Sequence, residues 1–167
     1  CALSSPSTAW PTTPKSSPIQ LPRGAGRGFI ERVVSNPVLV DPHRVAEFEG
    51  CLASLVGHER FEMFMDRMAA DDGYWPRTDS WENDYKPYNV KDGVLQIPVF
   101  GALINRMGYQ IGRYATGYTY IERAFERGME DGNVKGIAFL IDSPGGEAAG
   151  NFELVDKLVE GRGKKAM

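Results

Sequence analysis

Apolar and polar positions change their rhythm several times along the chain, and each change predicts an element. Residues 1–28 are dominated by Ser, Thr, Pro and Gly and carry no apolar period, so they predict a disordered arm. From residue 29 apolar positions return. Asn36-Pro37 interrupts the first run, and Asp41-Pro42 then predicts a helix start, with a capping side chain followed by proline. Val45, Phe48, Leu52, Leu55 and Val56 follow at helical spacing and make one apolar stripe, closed by Gly57. Phe61, Phe64, Met65 and Met68 predict a second helix ending near Asp72-Gly73. Residues 73–92 mix turn formers with Trp75, Trp81, Tyr85 and Tyr88, the pattern of a linker folded back on the domain that follows.

From Val94 the pattern becomes alternating α and β. The run 94–101 predicts a buried strand ending at Gly101, and residues 102–117, with three glycines and no firm period, predict a long irregular loop. Thr119 is placed to cap a helix with Ile121, Ala124, Phe125 and Met129 on one face, stopped by Asp131-Gly132. Residues 134–142 form a continuous apolar run with a polar end, which predicts a central parallel strand. A last helix is expected over about 149–159, with Phe152, Val155 and Leu158 or Val159 inward. Strand, helix, strand, helix implies parallel crossovers and an α/β fold class.

Composition narrows the classes of function. Of 167 residues, 42% are hydrophobic and 25% charged, a globular profile, and the net charge of −3 points to no nucleic-acid partner. Residues 1–36 carry Lys15, Arg23, Arg27 and Arg32 against Glu31, a basic arm of +3, which leaves −6 on the rest. Cys1 and Cys51 form no disulfide framework, and neither they nor His43 and His58 have ligand spacing, so neither metal nor cofactor is expected. No run of about 18 apolar residues is present for a membrane span. A reducing cytoplasm fits this usage of cysteine. The chain opens on Cys1 and stops at Met167 inside an α/β pattern, the expectation for a fragment of a longer frame.

The candidate chemistry lies at 139–150, where Ser143-Pro144-Gly145-Gly146 follows the strand run and precedes a helix. Pro144 cannot donate a backbone hydrogen bond, and Gly145 and Gly146 free the backbone for close approach of a substrate. Unpaired N–H groups at a helix start suit a developing oxyanion. A plain tight turn is the competing reading of the same four residues, and a phosphate loop is a third. The P-loop lysine and spacing, the G-x-G-x-x-G fingerprint and a G-x-S-x-G elbow are all missing.

Residues 97–106 (IPVFGALINR) together with 118–150, from Tyr118 through the Asp131-x-x-Val134-Lys135-x-Ile137 strand to the Ser143–Gly146 junction, resemble the signal peptide peptidase A family. The likeness covers roughly 94–167. The helical region before the Ile97-Pro98-Val99 strand is similar to the soluble branch of that family that matures phage proheads. The resemblance implies a ClpP/crotonase-like α/β spiral, here incomplete. Three parts follow: the arm 1–28, a helical region and linker 29–90, and the first part of a peptidase domain, 91–167. It implies a Ser/Lys endopeptidase that trims scaffold and capsid proteins within the prohead in the host cytoplasm, homo-oligomeric at full length, with peptide substrates. Gly146 and Gly145 would supply the oxyanion hole, and Ser143, Pro144 and Glu147 would line the substrate as an extended edge.

In that family the nucleophilic serine and the lysine base lie beyond the next strand, so this chain is expected to be inactive alone. Ser143 holds the turn position and is not expected to be the nucleophile. Lys164 and Lys165 would lead into the next strand, and Lys135 begins its strand at the far end. A non-catalytic capsid assembly or scaffold component is the alternative, and an acyl-CoA enzyme of the crotonase type a third.

Overall fold

The computed structural model describes residues 25–58, 61 and 88–167. The chain forms α1 (Ala25–Ser35), β1 (Val38–Val40), α2 (Val45–Val56), β2 (Asn89–Lys91), β3 (Val94–Ile104), β4 (Gln110–Ile111), β5 (Ala115–Gly117), α3 (Tyr118–Glu130), β6 (Gly136–Glu147) and α4 (Asn151–Glu160). This is a mixed α/β arrangement. Among the described residues six strands form one sheet, in the order β1-β6-β3-β5-β4, with β2 pairing β3 from outside that path. The centre is parallel, β3 with β6 and β3 with β5, and the additions β1, β2 and β4 are antiparallel.

Alternation along β3 sends side chains to two separate cores. Leu95, Ile97 and Val99 pack with Ile121, Ala124 and Phe125 of α3, while Ala102 and Ile104 pack with Phe29, Ile30 and Val33 of α1 and Phe48, Leu52 and Leu55 of α2. Helices therefore cover both faces of the sheet. Each fully buried Leu or Ile contributes about 1.5–3 kcal/mol against exposure, so these two clusters supply most of the folding drive.

Several expectations hold and several are corrected. Asp131 ends α3, and Gly57 caps α2 through its N–H to Ala53 O. Asp41 does not cap α2. Its carboxylate accepts the His43 N–H at 2.8 Å within a turn, and the helix begins four residues after it, at Val45. Thr119 does not cap α3 either: the helix starts at Tyr118 with Gly117 before it and no side-chain cap. Helix α1 begins at Ala25, inside the stretch expected to be disordered. The inward face of α4 is a different one. Leu154 is buried and Leu158 partly so, whereas Phe152, Val155 and Val159 are exposed.

The span 102–117 is not one irregular loop. β3 continues to Ile104, β4 and β5 follow, and Met107, Tyr109 and Ile111 are buried without any regular period. Residues 89–91 pair with β3 across Asp92-Gly93, whose φ values of 53° and 79° fit a type I′ hairpin turn. Phe64, Met65, Met68, Trp75, Trp81 and Tyr85 lie outside the described residues. Phe61 is buried, and Tyr88 packs against the α3 core.

Candidate functional site

Ser143, Pro144, Gly145 and Gly146 do not form a turn. β6 runs extended through all four and ends at Glu147. The reason is pairing on both sides: β3 holds Ala102 opposite Gly145 and Leu103 opposite Gly146, and β1 holds Val40 and Leu39 opposite the same two residues. A local turn signal has been overridden by two neighbouring strands.

The strand is irregular there. Phe100 faces Asp142 and Ala102 faces Gly145, so β6 carries one residue more than β3, a bulge at Ser143-Pro144 opposite Gly101. Polar side chains fasten it. Ser143 Oγ donates to Gly101 O at 2.6 Å and accepts the Gly145 N–H at 3.1 Å. Thr116 Oγ1 donates to Phe100 O and accepts the Phe100 N–H at 2.8 and 2.9 Å. Ser143 is thus a strut of the bulge. Gly101 has φ +67°, and a Cβ there would lie 2.2 Å from Tyr114 O.

The two glycines are sites of close backbone approach. A Cβ on Gly145 (φ +117°) would stand 2.0 Å from Leu39 O, and one on Gly146 would stand 2.0 Å from Leu103 O. The Asp41 N–H donates to Pro144 O and the Ala148 N–H to Pro37 O, both at 2.9 Å. The alternation of an antiparallel ladder then makes Leu39 and Gly146 the hydrogen-bonded pair between them. The diglycine amides, expected to face an open cleft, are engaged within the chain. Gly145 is satisfied by Ser143 and Gly146 faces β1.

Glu147 is likewise an anchor. Its carboxylate is 1% exposed, accepts the Asn105 N–H at 2.7 Å and meets Arg32 at 3.3 Å. Tyr118 donates its hydroxyl to Glu147 O at 2.6 Å. Burial first, and the nearby Glu147 charge second, push the Tyr118 phenol up to about 12. These contacts satisfy a carboxylate that burial would otherwise penalise heavily.

Arg44, which no sequence motif singles out, ties the segment before α2 to the same strand. Its guanidinium donates to Ser143 O and to Asp142 Oδ1, both at 2.9 Å, and to Glu47. Arg113 reaches the other Asp142 oxygen at 2.6 Å. The Arg44 hydrogen bond, helped by the Arg113 charge, holds the Asp142 carboxyl below the usual carboxylate range.

The lysines lie elsewhere. Lys165 Nζ donates to Gly128 O and Asp131 O at 2.8 and 2.7 Å, capping the end of α3. The Lys135 N–H bonds Gly93 O at the start of β6. A groove of about 470 Å³ between α3 and α4, lined by Phe125, Met129, Lys157 and Lys165 among others, is likewise at the opposite end of β6 from Ser143–Glu147. What the Ser143–Glu147 segment offers chemically is an extended backbone that accepts an antiparallel strand.

The chain is 29% identical over 143 residues to the head-tail preconnector protein GP5 of Enterobacteria phage P21, a match covering 82% of this chain and 28% of that protein. The chain has homologues among phage proteins. It is also 33% identical over 78 residues to the capsid assembly protease C of Escherichia phage lambda, covering 46% of this chain and 18% of that one. The chain thus spans less than a third of the length of either phage relative. No family model matches it. No solved structure matches it. Among the described residues no helix is long and apolar enough to cross a membrane.

Proposed function

We propose that this chain is the N-terminal part of a phage head-maturation serine endopeptidase of the Ser/Lys type, which trims capsid and scaffold proteins within the prohead. The observation that carries the reading is the extended, glycine-bearing end of β6 beside parallel β3, which accepts an antiparallel strand at Pro144–Ala148. Peptide substrates bind proteases of many kinds by this backbone pairing. A relative named as a capsid assembly protease supports the same reading. The fold is read as the first part of a ClpP/crotonase-like spiral, with helices on both faces of a parallel centre.

In this reading Ser143, Pro144 and Glu147 shape the substrate edge. The oxyanion role expected of Gly145 and Gly146 requires their amides to be released, Gly145 from Ser143 Oγ and Gly146 from β1. The attacking serine and the lysine that takes its proton come from the chain beyond Met167, and the 167-residue chain is inactive alone. A fluorophosphonate probe incubated with the extended protein tests this. Covalent labelling of a serine outside this chain is the expected result, and no labelling of folded extended protein counts against the peptidase.

A second reading, a non-catalytic assembly or scaffold component, is favoured by one observation: the diglycine amides are already engaged by Ser143 and β1. The same probe separates the two.

A further inference from the structure

We infer that the segment Asn36–Arg44 is a displaceable strap, whose strand β1 occupies a peptide-docking edge on Pro144–Ala148 and competes with incoming extended peptides. The inference deepens the peptidase reading and rests on it for the identity of the incoming peptide as substrate.

Three features of the strap argue for a removable occupant. First, β1 is only three residues long, and its pairing with β6 is three residues deep, from Val38 opposite Glu147 to Val40 opposite Gly145. Second, two of its three apolar side chains are poorly buried: Leu39 is 51% and Val38 39% exposed, and Val40 alone packs against the core. A strand held by packing buries most of such residues, whereas this one is held mainly by backbone hydrogen bonds and by Arg44. An incoming strand can replace those backbone bonds one for one.

Third, the strap is tethered at both ends by elements that do not depend on it. Ile30 and Val33 of α1 and Leu52 and Leu55 of α2 are 0–1% exposed and belong to the core beside β3. Lifting β1 itself, Val38–Val40, leaves the buried faces of both helices in place. Local opening of this kind draws on segments with few buried apolar contacts. The latch is polar, Arg44 to Ser143 O and to Asp142, and it lies in exposed or half-exposed surroundings.

The edge also explains its own glycine. With the strap in place Gly145 is pressed against Leu39 O, and with the strap lifted that space is open to another backbone. The incoming chemistry is therefore an extended apolar segment of low charge, running antiparallel to β6 as residues 37–41 do.

The probe is a fluorescent peptide with the sequence of residues 36–42, Asn-Pro-Val-Leu-Val-Asp-Pro, titrated into the chain by anisotropy. The wild-type chain, with its own strap seated, is expected to bind it weakly. Arg44→Ala and Leu39→Pro, the latter removing the N–H at the hydrogen-bonded pair, are each expected to bind it at least about tenfold tighter. The same peptide with proline at its central leucine is expected to bind poorly. Hydrogen exchange on the wild-type chain is the measurement that does not depend on variants folding. The Leu39 and Gly146 amides are expected to exchange well before those of α2 and β3. Equal peptide affinity in wild type and both variants overturns the inference, and so does exchange of the Leu39 and Gly146 amides only on global unfolding. Peptide binding in the variants combined with no fluorophosphonate labelling leaves the strap standing and removes the peptidase. Labelling without peptide competition does the reverse.

Discussion

Gly145 and Leu39 approach so closely that a single methyl on the glycine would sit 2.0 Å from the leucine carbonyl oxygen. Gly146 stands in the same relation to Leu103 on the other side of the strand. Gly145→Ala and Gly146→Ala are therefore each expected to destabilise the fold by about 2–4 kcal/mol, from backbone clash and, at Gly145, from its φ of +117°. Gly132→Ala, where nothing lies within 4 Å, is the control and is expected to change stability by about 0.5 kcal/mol or less. Urea denaturation checks all three.

Ser143 is a test of structural against chemical roles. Ser143→Ala removes the hydroxyl that bridges Gly101 O and the Gly145 N–H. A stability loss of about 1–3 kcal/mol is expected, because both partners are left short of a hydrogen bond. Labelling of the extended protein by a fluorophosphonate is expected to survive the substitution. Loss of labelling with the fold intact would make Ser143 the nucleophile.

The two sides of the pH scale are expected to act through different residues. At Tyr118 the phenol titrates near 10 when unfolded and at about 12 when folded. Between these values the folded state keeps a proton that the unfolded state loses, so stability is full below pH 10 and falls as pH rises toward 12. Thermal melts across that range are expected to show the loss in wild type and a flatter response in Tyr118→Phe.

At Asp142 the sign is opposite. Its carboxyl is held low by Arg44 and Arg113, so its contribution is present above the ordinary carboxylate range and is lost as pH falls through the lowered folded value. Asp142→Asn is expected to lose that acid-side dependence. Added salt is expected to mimic part of the effect, since the pairs are solvent-exposed.

Helix α4 supplies a paired comparison. Leu154 is 7% exposed and Phe152 is 67% exposed. Leu154→Ala is expected to cost about 2–3 kcal/mol by opening a cavity. Phe152→Ala is expected to leave stability within about 0.5 kcal/mol of wild type. Equal losses in chemical denaturation would mean that the inward face of this helix is the one its periodicity suggested.

The sequence by itself determined the elements whose signals are local. The stripe Ile121, Ala124 and Phe125 specified α3, with Asp131 at its end, and the apolar run 94–101 specified the body of β3. The stripe from Phe48 to Val56 specified α2. Asp92-Gly93 carried a readable hairpin signal too, although the span around it reads as linker from composition alone.

What only the tertiary structure decided is the form of the Ser143–Gly146 segment. Pro, Gly and Gly in succession speak for a turn, and they become a strand because β3 and β1 pair with them from either side. The strap's contribution comes from residues such as Arg44, 99 positions away from Ser143 in the chain. The face of α4 was decided the same way, since its period fixes a stripe but not which neighbours the stripe meets. Periodicity and turn chemistry report what a segment does next to itself, and pairing across a sheet is set by whichever distant backbone arrives to complete the hydrogen bonds.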